Sequence, residues 1–142
     1  MTNADIYDMI KNMKQLALAL ILTTPLMGQY TPQQERLLEA LILVESNGND
    51  KAVGDNGKAL GCLQIWHIYW IDARMEGSHK DCFNRVYAKR CVARYMRRYA
   101  RRAWEVDFNA EKIARIHNGG PKGHLKKATL RYWKKVQKNI KH

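Results

Sequence analysis

Glu45 and Asp55 are two carboxylates set in opposite surroundings. Glu45 closes a strongly apolar run of Leu37, Leu38, Ala40, Leu41, Ile42, Leu43 and Val44, and the polar loop Ser46-Asn47-Gly48-Asn49-Asp50 follows at once. Asp55 lies in a glycine-rich segment that closes on Gly61-Cys62-Leu63-Gln64-Ile65. An acid at the C-terminal end of a buried helix loses solvation and meets the negative end of the helix dipole, so the pKa of Glu45 is expected to rise. A carboxyl group that keeps its proton near neutral pH is what a general acid needs. One apolar-flanked acid and one polar, solvated acid form the pattern of glycoside hydrolysis. The plainer reading of Glu45 is a polar residue ending an amphipathic helix, and for a lone glutamate it would be preferred. The segment that follows shifts the balance.

The elements that must position these acids are mainly helical. Thr31-Pro32-Gln33-Gln34 reads as a helix start, with Thr31 as N-cap, Pro32 in the first helical position and Gln34 reaching back as in a capping box. That helix runs to about Ser46 and stops at Asn47-Gly48. Gly54, Gly57 and Gly61 mark a loop or short hairpin. From Ile65 to about Ala73, Trp66, Tyr69 and Trp70 are spaced for one face of a short helix, either as core or as the aromatic wall of a sugar cleft. A helix from about Asn84 to Tyr99 turns Cys91, Val92, Tyr95, Met96 and Tyr99 to one side. Its other side carries Lys89, Arg90, Arg94, Arg97 and Arg98, with Arg101 and Arg102 beyond, as a solvated face or a dock for a polyanion. Asp107 or Asn109 caps a short helix that ends in His117-Asn118-Gly119-Gly120-Pro121. A last helix from about Thr129 turns Leu130, Trp133, Val136 and Ile140 inward, with a basic outer face.

A chain of 142 residues with 46% hydrophobic content can bury a core as one domain, which excludes global disorder. The net charge of +12 predicts attraction to a polyanion such as nucleic acid, an anionic membrane or an anionic cell wall. Cys62, Cys82 and Cys91 are too few for a disulfide scaffold and are not spaced as zinc ligands. Cys82 and Cys91 are able to pair in an oxidising compartment, which leaves Cys62 as a small buried thiol. At the N-terminus, Lys11 and Lys14 precede the apolar run from Leu16 to Leu22, and Pro25 and Gly28 follow. Residues 1–28 therefore read as a signal peptide or anchor helix ahead of a catalytic domain at 29–142, with an ordinary core helix as the alternative. The apolar run is short for a membrane span.

Two family patterns cover these residues. Glu45-Ser46, Ala52-Val53, Gly57 and Gly61-Cys62-Leu63-Gln64 resemble the first motif of the soluble lytic transglycosylases, whose glutamate is the catalytic acid. Asn118-Gly119-Gly120-Pro121 falls where that family has an Asn-Ala-Gly-Pro type turn. The resemblance to invertebrate-type lysozymes, the group that includes the destabilases, is closer. It takes in Val44-Glu45-Ser46, Asp55-Asn56-Gly57, Gln64-Ile65, Tyr69-Trp70-Ile71-Asp72 and the stretch from Cys91 to Met96. It continues through Ala114 to Gly123 and Thr129 to Trp133, and so spans roughly Leu41 to Gln137 in order.

The resemblance implies a mainly α, lysozyme-like single domain with a short loop or β-hairpin between the catalytic helix and the rest. It also implies cleavage of the β-1,4 bond between N-acetylmuramic acid and N-acetylglucosamine in peptidoglycan. Glu45 matches the acid of both families, and Asp55 the second carboxylate of the lysozymes. Gln64, His117, Asn118 and Gly119 match positions that line the cleft, and Ser46, Tyr69 and Tyr132 join them as substrate-binding candidates. The chain departs from those lysozymes in keeping only Cys82 and Cys91 near their many cysteine positions, which points to a bacterial or phage relative. Its loop between Asp55 and Gly61 is also one residue shorter than theirs.

A muramidase is thus expected, acting on bacterial peptidoglycan as a monomer without metal or organic cofactor. The basic faces would hold anionic wall polymers or lipopolysaccharide, with an attraction that weakens as salt rises. The expected location is secreted or periplasmic, with a phage lysis or virion-associated role as the alternative. A lytic transglycosylase using Glu45 alone would instead leave 1,6-anhydro products. From other classes, a basic nucleic-acid-binding module accounts for the charge but not for Glu45, Asp55 and the glycines between them, so no specific nucleic acid is expected. A non-catalytic wall-binding protein stays open, because folds outlive activities.

Overall fold

The computed structural model describes residues 1–6, 8–10 and 30–140. The expected signal-like run and its break near Gly28 lie outside the described residues. Met1–Thr31 and Pro32–His142 are two compact units. In the first, residues 3–6 and 8–10 are helical, and the Asp5 backbone N–H donates to the Thr2 hydroxyl. No helix among the described residues is long and apolar enough to cross a membrane.

The second unit opens with α1 (Pro32–Ser46), which starts at the proline and buries Leu37, Leu38, Ala40, Leu41 and Ile42. The Gln34 side chain is buried, and its amide N–H donates to the Trp104 carbonyl at 2.7 Å, as a buried polar group requires. Asn47 ends the helix in the left-handed region (φ 52), a conformation asparagine tolerates there.

The glycine-rich segment folds into a three-stranded antiparallel sheet of β1 (Val53–Gly54), β2 (Ala59–Leu60) and β3 (Ile65–Trp66). Val53 pairs with Leu60, Leu60 with Ile65, and Ala59 with Trp66. The expected helix from Ile65 therefore begins only at His67, as α2 (His67–Asp72), since Ile65 and Trp66 complete the sheet. A Cβ at Gly54 would stand 2.1 Å from the Gln64 Oε1, so a side chain there would push the Gln64 amide aside. A 3-10 turn (His79–Phe83) carries a Ser78–Asp81 capping box and leads into α3 (Arg85–Tyr99), capped by Asn84.

Helix α3 buries Ala88, Cys91, Val92, Ala93, Tyr95 and Met96. Lys89 departs from the expected basic face. It is buried and bonds Glu35 and, at 2.6 Å, Glu39, both on α1. Burial works against its charge, but the two carboxylates hold its pKa above the ordinary lysine value. A π-turn (Arg102–Val106) buries Trp104, and α4 (Ala110–Gly119) follows, capped by Asn109. Asp107 instead pairs with Arg102. In α5 (Thr129–Asn139), which packs on α1 and α4, Val136 is buried as expected, whereas Leu130 is 40% exposed. Cys62, Cys82 and Cys91 are all buried free thiols, and Cys82 and Cys91 are not joined.

Candidate active site

A cleft of about 570 Å³ opens between the sheet and the helices. Glu45 reaches it from the last turn of α1, Asp55 and Gln64 from the two sheet turns, and Trp66 from β3. Tyr69 and Asp72 come from α2, Tyr95 from α3, and His117 and Asn118 from α4. Residues far apart in the chain thus meet in one concavity, with an acid on each of two unlike supports.

The Glu45 carboxylate is largely enclosed, with its side chain 18% exposed. Tyr132 of α5 donates its hydroxyl to Glu45 Oε1 at 2.6 Å, and His117 Nε2 stands 3.5 Å from the same oxygen. His117 Nδ1 lies 3.1 Å from the Tyr69 hydroxyl, and the Tyr69 ring stacks on Tyr95 at 3.6 Å between centroids. A carboxylate at Oε1 calls for a proton on Nε2, which leaves Nδ1 of a neutral ring to accept from Tyr69. Burial keeps the Tyr69 and Tyr132 phenols protonated by pushing their pKa values well up.

The expected rise in the Glu45 pKa does not occur. Burial does push it up, but the His117 hydrogen bond and charge, the Tyr132 hydrogen bond and the Lys135 charge together bring it below the usual glutamate value. The apolar run announced the burial. The three partners come from α4 and α5 and leave no trace near Glu45 in the sequence.

Asp55 is exposed and sits on a 3-10 turn between β1 and β2 with φ of 50°. Asn56 beside it (φ 56) and Gln64 on the next turn (φ 47) are left-handed too. Non-glycine residues in this region carry backbone strain, and such strain gathers at functional sites. The Trp66 indole N–H donates to Asp55 Oδ2 at 3.0 Å and so fixes where the carboxylate points. Register makes this bond: pairing Ala59 with Trp66 brings the indole beside the turn.

Six of the nine residues expected in the site line the cleft: Glu45, Asp55, Gln64, Tyr69, His117 and Asn118. Tyr132 acts on it through Glu45. Ser46 and Gly119 are not among the lining residues. The Ser46 hydroxyl bonds the carbonyls of Ile42 and Cys62, tying α1 to the turn between β2 and β3. Gly119 lies against α5, where a Cβ would stand 2.6 Å from Thr129 Cγ2. The helix α4 runs through His117 to Gly119, inside the stretch expected to end it, which gives His117 a fixed and buried position. Asp72 and Tyr95 line the cleft without having been assigned to it, and Trp66 takes the cleft-wall reading that its spacing left open. The alternation of a short strand, Ile65 in and Trp66 out, separates that reading from a place in the core.

No group of three or more metal-ligating side chains occurs among the described residues.

Comparison with known proteins finds lysozymes similar to this chain. A lysozyme of Meretrix lusoria is 38% identical over 108 residues, covering 73% of this chain and 88% of that protein. An invertebrate-type lysozyme of Ruditapes philippinarum is 42% identical over 80 residues, 55% of this chain and 58% of that one. The crystal structure of Tapes japonica lysozyme superposes with a TM-score of 0.65 at 34% identity, covering 77% of this chain and 94% of that chain. The family described as Destabilase matches residues 34–139, the interval that holds α1 from Gln34 onward, all of α2 through α5 and every residue of the cleft. On that match, the chain belongs to the Destabilase family.

Proposed function

We propose that the protein is a glycoside hydrolase of the lysozyme type, a muramidase that cleaves the β-1,4 bond between N-acetylmuramic acid and N-acetylglucosamine in bacterial peptidoglycan. The observation that carries this reading is that an enclosed acid, Glu45, and an exposed acid, Asp55, line one cleft from two different elements. Glu45 gives its proton to the departing glycosidic oxygen. Asp55, ionised, stabilises the oxocarbenium-like transition state or attacks it, and water completes hydrolysis.

The lowered pKa of Glu45 belongs to the open cleft, where His117 and Tyr132 favour the carboxylate. A sugar chain that fills the cleft expels water, and loss of water penalises a charged carboxylate more than its neutral acid. Substrate binding therefore favours the protonated form of Glu45, which becomes the acid when there is a bond to break. No cofactor takes part in these steps. The target bond lies in the cell wall, so the site of action is outside the cytoplasm. The excess of basic residues strengthens attachment to the anionic wall at low salt.

The test is mass spectrometry of fragments released from purified peptidoglycan by wild type, Glu45→Gln and Asp55→Asn. Ordinary reducing ends, lost in both variants, are the expected result. Ends in the 1,6-anhydro form, lost only with Glu45→Gln, would make the enzyme a transglycosylase and Asp55 a loop residue. No release at low salt would remove the enzyme reading altogether.

A further inference from the structure

Past the end of α2 lies a second concavity of about 350 Å³, lined by Asp72, Ala73, Arg74, Arg94, Arg97 and Arg98. Asp72 lines both this concavity and the main cleft, so the two share a wall. Three of its arginines are engaged. Arg94 bonds both carboxylate oxygens of Glu76 at 2.8 Å, and Arg97 holds Glu105 at 2.7 Å. Arg98 donates to the Asp72 carbonyl at 3.1 Å and lies over the Tyr99 ring. The Arg74 side chain has no hydrogen-bond or ion-pair partner among the described residues.

Arg74 also stands where its backbone suits it badly. It directly follows the cap of α2 with φ of 51°, a position that glycine usually fills. The strain keeps an unpaired guanidinium at the rim of a hollow whose other cations are already matched.

We propose that this concavity is an anion subsite continuing the cleft, and that Arg74 there takes a carboxylate of the peptide stem borne by the muramyl sugar. The proposal rests on the muramidase reading above. A single free guanidinium presents a planar fork that matches one carboxylate. A phosphate polymer carries charge along its length and is matched by a track of unpaired cations. Here Arg94 and Arg97 are already neutralised. The shared wall at Asp72 places the subsite beside the sugar chain, so the stem arrives tethered to the glycan that fills the cleft.

The experiment measures binding of soluble peptidoglycan tetrasaccharides, with and without peptide stems, to Glu45→Gln protein, which leaves them uncut. The stemmed glycan is expected to bind about fivefold tighter at low salt, the scale of one exposed charge pair. Adding Arg74→Gly should erase the preference, and Arg74→Lys should keep part of it. Glycine suits the left-handed backbone, so a raised melting temperature for Arg74→Gly would separate loss of binding from loss of fold. Equal or absent binding of the two glycans overturns the proposal, as does a preference that survives Arg74→Gly. A loss confined to walls bearing teichoic acid would assign the hollow to phosphate and overturn it too. Fragment release by the wild type from stemmed and stripped glycan is scored separately. No release with the stem preference intact removes the hydrolase reading and leaves the subsite standing.

Discussion

Glu45 and Asp55 line the same cleft, yet they are held by opposite means. Glu45 stands on a long helix with a buried face, enclosed by side chains of α4 and α5, and its neighbours decide whether it carries a proton. Asp55 stands in water on a short, strained turn, with one indole to aim it. The first acid is controlled through its electrostatics and the second through its position. Substitutions should separate the two kinds of control.

The largest effect should come from Glu45→Gln, which keeps shape and removes the transferable proton. Turnover on peptidoglycan should fall about a thousandfold with an unchanged melting temperature. A loss below tenfold would mean that Glu45 is not the acid. Asp55→Asn should cost less, about a hundredfold, because a charge stabiliser is lost while protonation of the leaving group continues. Should it match Glu45→Gln, the two acids would act as one unit and the contrast would fail.

Trp66→Phe keeps a ring in the wall and removes the indole N–H that aims Asp55. Turnover should drop about tenfold, the lower end of the worth of one hydrogen bond to a charged group, without movement of the pH profile. Tyr132→Phe should do the reverse, leaving the maximal rate within about twofold while moving the profile. The Tyr132 hydrogen bond lowers the Glu45 pKa, so its loss raises that pKa, and the acid form persists to higher pH. The alkaline limb should therefore move upward, and His117→Gln should move it further, since His117 supplies the larger lowering. A limb that stays in place in both variants would assign it to another group.

Much of this arrangement was legible in the chain. The apolar run before Glu45 announced a helix with a buried face, and the glycines after it announced a loop or short hairpin carrying Asp55, which the structure extends to three strands. Harder to read was whatever depends on two elements meeting. The Trp66–Asp55 bond follows from strand register, and the partners of Glu45 come from helices more than seventy residues away. Lys89 sits among residues that look like one solvated basic face, and only the packing of α3 on α1 reveals it as interior. Ser46 and Gly119 lie next to cleft residues in sequence, but Ser46 bonds the sheet turn and Gly119 packs on α5. Arg74 stood out in neither composition nor spacing, because its distinction lies in a backbone angle and a missing partner.

The buried Lys89 has a further consequence for the acid at the other end of α1. Glu35 and Glu39 lie one turn apart on that helix, and a single ammonium from α3 grips both. Such a grip acts as a rotational lock, fixing the azimuth of α1 about its own axis. A twist of about 10° would sweep a side-chain atom about 6 Å from the axis through roughly 1 Å. A misplacement of that size can cost a catalytic group about a hundredfold in rate. The aim of Glu45 is thus set in part at the opposite end of its helix, far from any sugar.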